Sequence, residues 1–186
     1  MIFFTSDVHD FHKNICKGVS TWSDKSGCRD FSSLDKMNEA LVTSINSNVS
    51  SSDTLYHLGD WSFGSKHNVA KFRHQINCED IRLIRGNHDK YIDEYASLFT
   101  WIKSYHEFSY NKIMFCLFHY SMRVWNNSHH GSIHLYGHSH GTLPGIGRSL
   151  DVGWDVFKRP ISIDEVISLM SGIEPHSVDH HNKETT

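Results

Sequence analysis

The sequence predicts a single α/β domain whose sheet is partly parallel and partly antiparallel. Two patterns carry that expectation. In the first half short apolar runs alternate with helix-period segments, and in the second half strands dominate. Five of the apolar runs also stop at a Gly, Asp, Asn or His, and ligands of α/β sheets bind beyond the carboxyl ends of strands. At 186 residues the chain is long enough to bury a core without disulfides or a structural metal.

Taken in order, Ile2-Phe3-Phe4 reads as a first buried strand, ending at Asp7-Val8-His9-Asp10-Phe11-His12. Residues 13–31 show no clean period and contain Gly18, Ser20, Ser23, Ser26 and Gly27, so they form an irregular excursion beside that end. Ser32-Ser33 look like a helix cap, with Asp35 in the first turn. Leu34, Met37, Leu41, Ile45 and Val49 follow at helical spacing. Residues 54–58 are a second strand, ending at Gly59-Asp60, and Val69, Phe72 and Ile76 mark a short helix. A third strand, 81–84, runs into Arg85-Gly86-Asn87-His88-Asp89, and residues 90–98 are expected to be helical. Two strands, 107–110 and 113–118, make a hairpin around Asn111-Lys112, and His119 closes the second. Ile133-His134-Leu135-Tyr136 ends at Gly137-His138-Ser139-His140, and 149–152 is a last strand. Ser162 and Glu165 form a capping box that opens a final helix through Met170. The folded domain is expected over 1–172 and a polar tail over 173–186, with His176, His180 and His181 adventitious.

Composition excludes several classes. The formal net charge is −3 and no run of Lys or Arg makes a basic stripe. Tight binding to long nucleic acid, which needs clustered cations, is therefore not expected, and nucleic acid enters only as a substrate. The four cysteines form no C-x-x-C, so free thiols in a reducing compartment are expected. The apolar start stops at Thr5-Ser6-Asp7, too early for a signal peptide, and no apolar run approaches the ~20 residues of a membrane span. The expectation is a cytoplasmic protein without a membrane anchor. The 16 histidines stand out, because many lie beside Gly, Asp or Asn in loops.

The strand ends carry chemistry. Asp7-x-His9, Gly59-Asp60, Gly86-Asn87-His88-Asp89, His119 and Gly137-His138-Ser139-His140 mix carboxylate, imidazole and one amide oxygen. That mix suits Mn, Fe, Zn or Ni better than Ca or Mg, and the set is large enough for two ions. Asn87 offers a neutral oxygen, His88 can carry a proton near neutral pH, and Asp89 is expected to orient that imidazole. The bland alternative is a polar turn in which Asn87 and Asp89 cap the next helix. A structural zinc site would be closed by four ligands, usually with Cys, and this set is Cys-free. His57 reads as a satisfied core histidine, His134 as structural, and His67, His74 and His106 as surface. Trp61, Phe63 and Trp125 are core or an aromatic wall, with core expected for at least two.

These blocks, in this order, resemble the motifs of the calcineurin-like metallophosphoesterase superfamily: D-x-H, G-D, G-N-H-D, a lone H and G-H-x-H. The resemblance runs from Met1 to about Asp155. His119-Tyr120-Ser121-Met122-Arg123-Val124-Trp125 is similar to a segment of the small bacterial and phage members. The resemblance implies two mixed β-sheets packed face to face with helices outside, an α/β/β/α sandwich, and a dinuclear centre at the strand ends. It implies Asp7, His9, Asp60 and His140 on one ion and Asp60, Asn87, His119 and His138 on the other, with Asp60 bridging. It makes His88 a proton donor or phosphate contact, with Asp89 behind it. Two divalent ions are implied, Mn favoured, with Ni, Fe or Zn as alternatives.

The chain departs from the pattern in two places. Gly59-Asp60-Trp61-Ser62-Phe63-Gly64 lacks the family's frequent second carboxylate and the arginine of the protein phosphatases, and Asp10 stands where those enzymes have Gly. Protein phosphatase activity is therefore not expected. His12 and Arg123 are candidate phosphate contacts, the alternative for Arg123 being a surface salt bridge. The expected activity is hydrolysis of a small phosphate ester, a diester before a monoester, since a proton donor helps an alkoxide leave. A nuclease and a catalytically silent metal-binding scaffold are the rivals.

Overall fold

The computed structural model describes residues 1–177. Strands β1 (Ile2–Thr5), β2 (Thr54–His57), β3 (Asp80–Ile84) and β4 (Trp101–Lys103) pair in parallel, and antiparallel β9 (Ile161–Ser162) completes a sheet of order β4-β3-β2-β1-β9. The second sheet has order β5-β6-β7-β8. In it β5 (Tyr105–Tyr110) and β6 (Ile113–Phe118) are an antiparallel hairpin, and β7 (Ile133–Tyr136) and β8 (Ser149–Asp151) continue in parallel. The fold is α/β with two mixed sheets.

Strand alternation explains why the first sheet reads as continuous apolar runs. Successive residues point to opposite faces, and both faces are covered. Phe3, Leu55, Ile81 and Leu83 join Met37, Leu41, Ile45 and Phe72 in the core under the helices. Phe4, Tyr56, Leu58 and Ile84 join Phe115, Leu117, Ile133 and Leu135 of the second sheet in another core. The two sheets therefore pack face to face.

Helix α1 (Leu34–Asn46) starts where expected. Ser33 Oγ accepts from Lys36 N at 3.3 Å, and Met37, Leu41 and Ile45 are fully buried one turn apart. Each such side chain contributes roughly 1.5–3 kcal/mol on burial. Helix α2 (His67–Arg73) buries Val69 and Phe72. The hairpin turns at Asn111 and Lys112, both at positive φ (49° and 65°), as a two-residue turn requires. Helix α4 (Ile163–Met170) carries the full capping box, Ser162 N donating to Glu165 Oε2 at 2.9 Å and Glu165 N to Ser162 Oγ at 3.2 Å.

Some elements differ from expectation. The helix expected over 90–98 is a 3₁₀ segment, Ile92–Leu98, broken at Tyr95 (φ −119°, ψ 22°). Only Ile92 buries there, so no apolar stripe holds a regular helix against the sheet. Strands β4 and β9 and the single turn α3 (Trp154–Phe157) were not expected. His106 is not a free surface residue, because its ring lies 4.7 Å from that of Trp101 and 6.0 Å from those of Tyr56 and Phe108. His57 is core but not satisfied, since neither ring nitrogen has a hydrogen-bond partner. His134 is buried and bonded, with Nδ1 3.0 Å from Cys116 O and Nε2 accepting from Met122 N at 3.1 Å. Within the expected tail, the Ile173 carbonyl accepts from Arg148 Nε at 2.8 Å. Residues 178–186, with His180 and His181, lie outside the described residues. Among those described, no helix is long and apolar enough to cross a membrane, and the cysteines are free.

Candidate active site

The carboxyl ends of β1, β2 and β3 meet those of β6 and β7 at one rim of the sandwich. Asp7 N donates to Gly59 O and His9 N to Asp60 O, each at 3.0 Å, while Gly137 N donates to His119 O at 2.9 Å. Asp7, His9, Asp60, His138 and His140 leave their strands with φ between 48° and 65°. Residues other than glycine seldom adopt that region, and such strain concentrates at functional sites. Two glycines make room. A Cβ on Gly86 would lie 2.2 Å from Asp60 Oδ1, and one on Gly137 would lie 2.3 Å from Asp7 Oδ2.

The expected ligands form one contiguous cluster. Asp60 Oδ2 lies 3.4 Å from His9 Nε2 and 3.6 Å from His119 Nε2. Asp7 Oδ1 lies 4.0 Å from both His9 Nε2 and His140 Nε2. Asn87 Oδ1 lies 2.9 Å from His119 Nε2 and 3.0 Å from His138 Nδ1. His138 also donates its backbone N–H to Asp7 Oδ2 at 2.8 Å, which ties the two sheets together.

The donor set fits divalent cations. Asp7 Oδ1 is buried without a hydrogen-bond partner. His119 Nδ1 lies 2.7 Å from Leu58 O, and His140 Nδ1 lies 2.7 Å from Asp155 Oδ2. Those oxygens only accept, so each Nδ1 carries a proton and Nε2 is left as the atom that faces inward to bind a cation; the hydrogen bond to Asp155 raises the His140 imidazole above its ordinary value. Lone pairs of imidazole, carboxylate and amide then face one another, an arrangement that a cation satisfies. Among the described residues, two groups have donor atoms within 4.8 Å of one another: Asp7, His9 and His140, and Asp7, Asp60 and His119. Asp7 is common to both, in addition to the shared role expected for Asp60. Burial pushes the Asp7 carboxyl up to about 6, with His140 opposing. Burial also holds the His9 imidazole well below its ordinary value, in the neutral form that binds a metal.

The other expected residues separate. The His88 backbone N–H donates to Asp60 Oδ1 at 2.9 Å, and its ring lies 5.4 Å from that of His9 and 5.3 Å from that of Phe63. The expectation that Asp89 backs this ring is corrected. Asp89 Oδ2 accepts from Asp60 N and Gly86 N at 2.8 Å each, and Oδ1 from Trp61 N at 2.9 Å. Its carboxylate faces the β2 and β3 turns and makes no bond to His88, because three converging backbone donors claim both oxygens. His12 is buried, stacked on Phe63 at 3.8 Å and edge-on to His9 at 5.5 Å. Arg123 is exposed and makes no ion pair among the described residues. Trp61 and Trp125 are core and Phe63 is a wall of the site.

Sequence reasoning missed three residues behind the cluster. Asp151 Oδ2 accepts from Ser139 Oγ at 2.7 Å and Gly141 N at 2.9 Å, which holds the turn bearing His138 and His140. Asp155 holds the His140 ring, and Arg29 holds Asp155. Asp151 at the end of its strand could have been flagged as a polar strand end, but no local spacing joins Arg29 to Asp155.

No family model matches the chain. An uncharacterized protein of Methanocaldococcus jannaschii is 29% identical over 179 residues, which cover 91% of this chain and 90% of that one. Among solved structures, a protein of unknown function from Aquifex aeolicus superposes with a TM-score of 0.69 at 20% identity, over 91% of this chain and 98% of that one. That likeness shows a shared fold. YfcE, a phosphoesterase from E. coli, superposes with a TM-score of 0.46 at 18% identity, over 82% of this chain and 77% of that one.

Proposed function

We propose that this chain is a metal-dependent phosphoesterase acting on a small phosphodiester, with a phosphomonoester as the nearer alternative. The observation that carries the reading is the placement of Asp60 Oδ2 between His9 Nε2 and His119 Nε2, beside the unpartnered Asp7 Oδ1. Asp7, His9, Asp60 and His140 would hold one divalent ion, and Asp60, Asn87, His119 and His138 the other. Bound divalent ions would polarise phosphoryl oxygens and supply a water nucleophile near neutral pH. The carboxylate, imidazole and amide donors favour Mn, with Ni, Fe or Zn as alternatives.

His88 is the proton donor of this reading. Its backbone bond to Asp60 fixes where the ring starts, and no described hydrogen bond occupies the ring nitrogens. It lines a cleft of about 260 Å³ together with Phe63, Asn87, Lys90 and Tyr91. A positioned proton donor contributes ~10²–10⁴ in rate. His12, stacked on Phe63, and Arg123, exposed at the surface, are the candidate phosphate contacts.

A small ester is the proposed substrate, in preference to a long polynucleotide. The scattered cations support the same choice: Lys158 pairs with Asp155, Arg159 with Glu165, and Arg148 donates to Ile173 and Gly131 carbonyls. The test is hydrolysis of a panel of mono- and diesters by metal-stripped protein resupplied with Mn, Ni, Zn or Mg. Restored turnover, higher on diesters, is expected. No turnover with any metal would leave the silent scaffold as the better reading.

A further inference from the structure

The excursion at residues 13–31 is mostly irregular, yet it delivers a deeply buried cation to the site. Arg29 is 6% exposed. Its Nε bonds Asp155 Oδ1 and its Nη2 bonds Asp155 Oδ2, each at 2.8 Å. The same side chain reaches the first ligand turn, where Nη1 donates to Val8 O at 2.7 Å and Nη2 to Asp7 O at 2.6 Å. The guanidinium carbon sits 4.8 Å from the centre of the Trp154 ring. Asp155 Oδ2 in turn accepts from His140 Nδ1 at 2.7 Å.

One side chain thus holds both parts of a single donor group. It fixes the backbone of the turn in which Asp7 and His9 take φ of 54° and 51°. Through Asp155 it fixes the ring of His140, whose Nε2 faces Asp7 Oδ1. His119, which faces Asp60, is held differently, by the Leu58 carbonyl on its Nδ1. A buried ion pair contributes little net stability against the loss of hydration. Geometry is what this one supplies: a planar, bidentate fork that a lysine cannot reproduce.

We propose that Arg29 and Asp155 are positioning residues for one of the two ion sites only. They set the Asp7 turn and the His140 ring so that the ion held by Asp7, His9 and His140 binds tightly. The ion held by Asp60, Asn87, His119 and His138 meets them only through Asp7, whose carboxylate also lies near that group, while Asp60 and His119 keep supports of their own in His88 N and the Leu58 carbonyl. The inference rests on the two-ion reading above. It also explains the excursion, since residues 13–31 form the arm that carries Arg29 under the site.

The test is Mn binding to Asp155→Asn and Arg29→Lys, followed by calorimetry and by electron paramagnetic resonance. Loss of a partner to a metal-bound histidine typically weakens metal affinity 10–100-fold. In each variant one Mn should bind as in the unaltered protein and the other 10–100-fold more weakly. At sub-saturating Mn the spectrum should change from a spin-coupled pair to an isolated ion. Circular dichroism and urea midpoints establish that each variant folds; if Asp155→Asn does not, Arg29→Lys carries the test. Equal weakening of both ions, or no weakening of either, would overturn the inference while leaving the two-ion site standing. Failure of the unaltered protein to bind two ions would instead overturn the site reading and this inference with it.

Discussion

Replacing Asp89 by Ala separates the two roles that its place beside His88 leaves open. The carboxylate receives three buried backbone donors, from Asp60, Trp61 and Gly86. A hydrogen bond to a charged acceptor is worth about 1.5–3 kcal/mol, and a buried donor left unpaired costs about 1–3 kcal/mol. Burial works against this gain, because it raises the Asp89 carboxyl above its usual range and so disfavours the charged form. Offsetting the two leaves a loss of roughly 3–6 kcal/mol for Asp89→Ala. The loss should appear in urea unfolding of chelator-treated protein as a lower midpoint with an unchanged slope. His88→Ala, by contrast, removes an exposed ring and should change stability by at most about 0.5 kcal/mol, while lowering diester turnover ~10²–10⁴-fold. An Asp89→Ala protein that loses under about 1 kcal/mol and mirrors His88→Ala in turnover would refute the backbone-clamp assignment.

Three further outcomes follow from the same geometry. His57 is fully buried with both nitrogens unpartnered, and burial lowers its pKa to about 3. Its contribution to stability is present above the unfolded value near 6.5 and is lost as pH falls toward 3, so His57→Leu should remove one proton from that acid limb and add about 1–2 kcal/mol at pH 5; destabilisation by the substitution in urea melts at that pH would show that the imidazole has a partner. Gly137→Ala places a methyl group 2.0 Å from Ser6 Oγ and 2.3 Å from Asp7 Oδ2, and calorimetry should record at least about a tenfold loss of Mn affinity, with an unchanged isotherm arguing that Asp7 binds no ion. Metal at 100 times its dissociation constant should add about 2.7 kcal/mol for each site; thermal melts with and without chelator that coincide would contradict a metal centre in the folded state.

What the sequence disclosed follows the range of the forces involved. Helix α1, the hairpin at Asn111-Lys112 and the Ser162–Glu165 box are set by neighbours within a few positions, and each was legible. That the strand-end blocks would gather in one cluster was legible for the same reason, because each pair of polar side chains is fixed by one turn at the end of one strand. Asp89 misled because adjacency to His88 says nothing about where a carboxylate points once the chain turns. Arg29 and Asp155 were invisible, since their bond spans 126 positions and neither sits in a patterned segment. Strand β9, of two residues, and the broken turn at Tyr95 carry too little apolar periodicity to read. His57 showed its burial but not its lack of partners, which depends on what the facing helices bring.

The shared cluster is tested most directly by anomalous diffraction from crystals of the Mn-loaded protein. Two anomalous peaks should flank Asp60, one beside His9 and His140 and the other beside Asn87 and His119. A single peak, or peaks confined to residues outside these strand ends, would contradict a two-ion centre built from Asp7, Asp60 and their histidines.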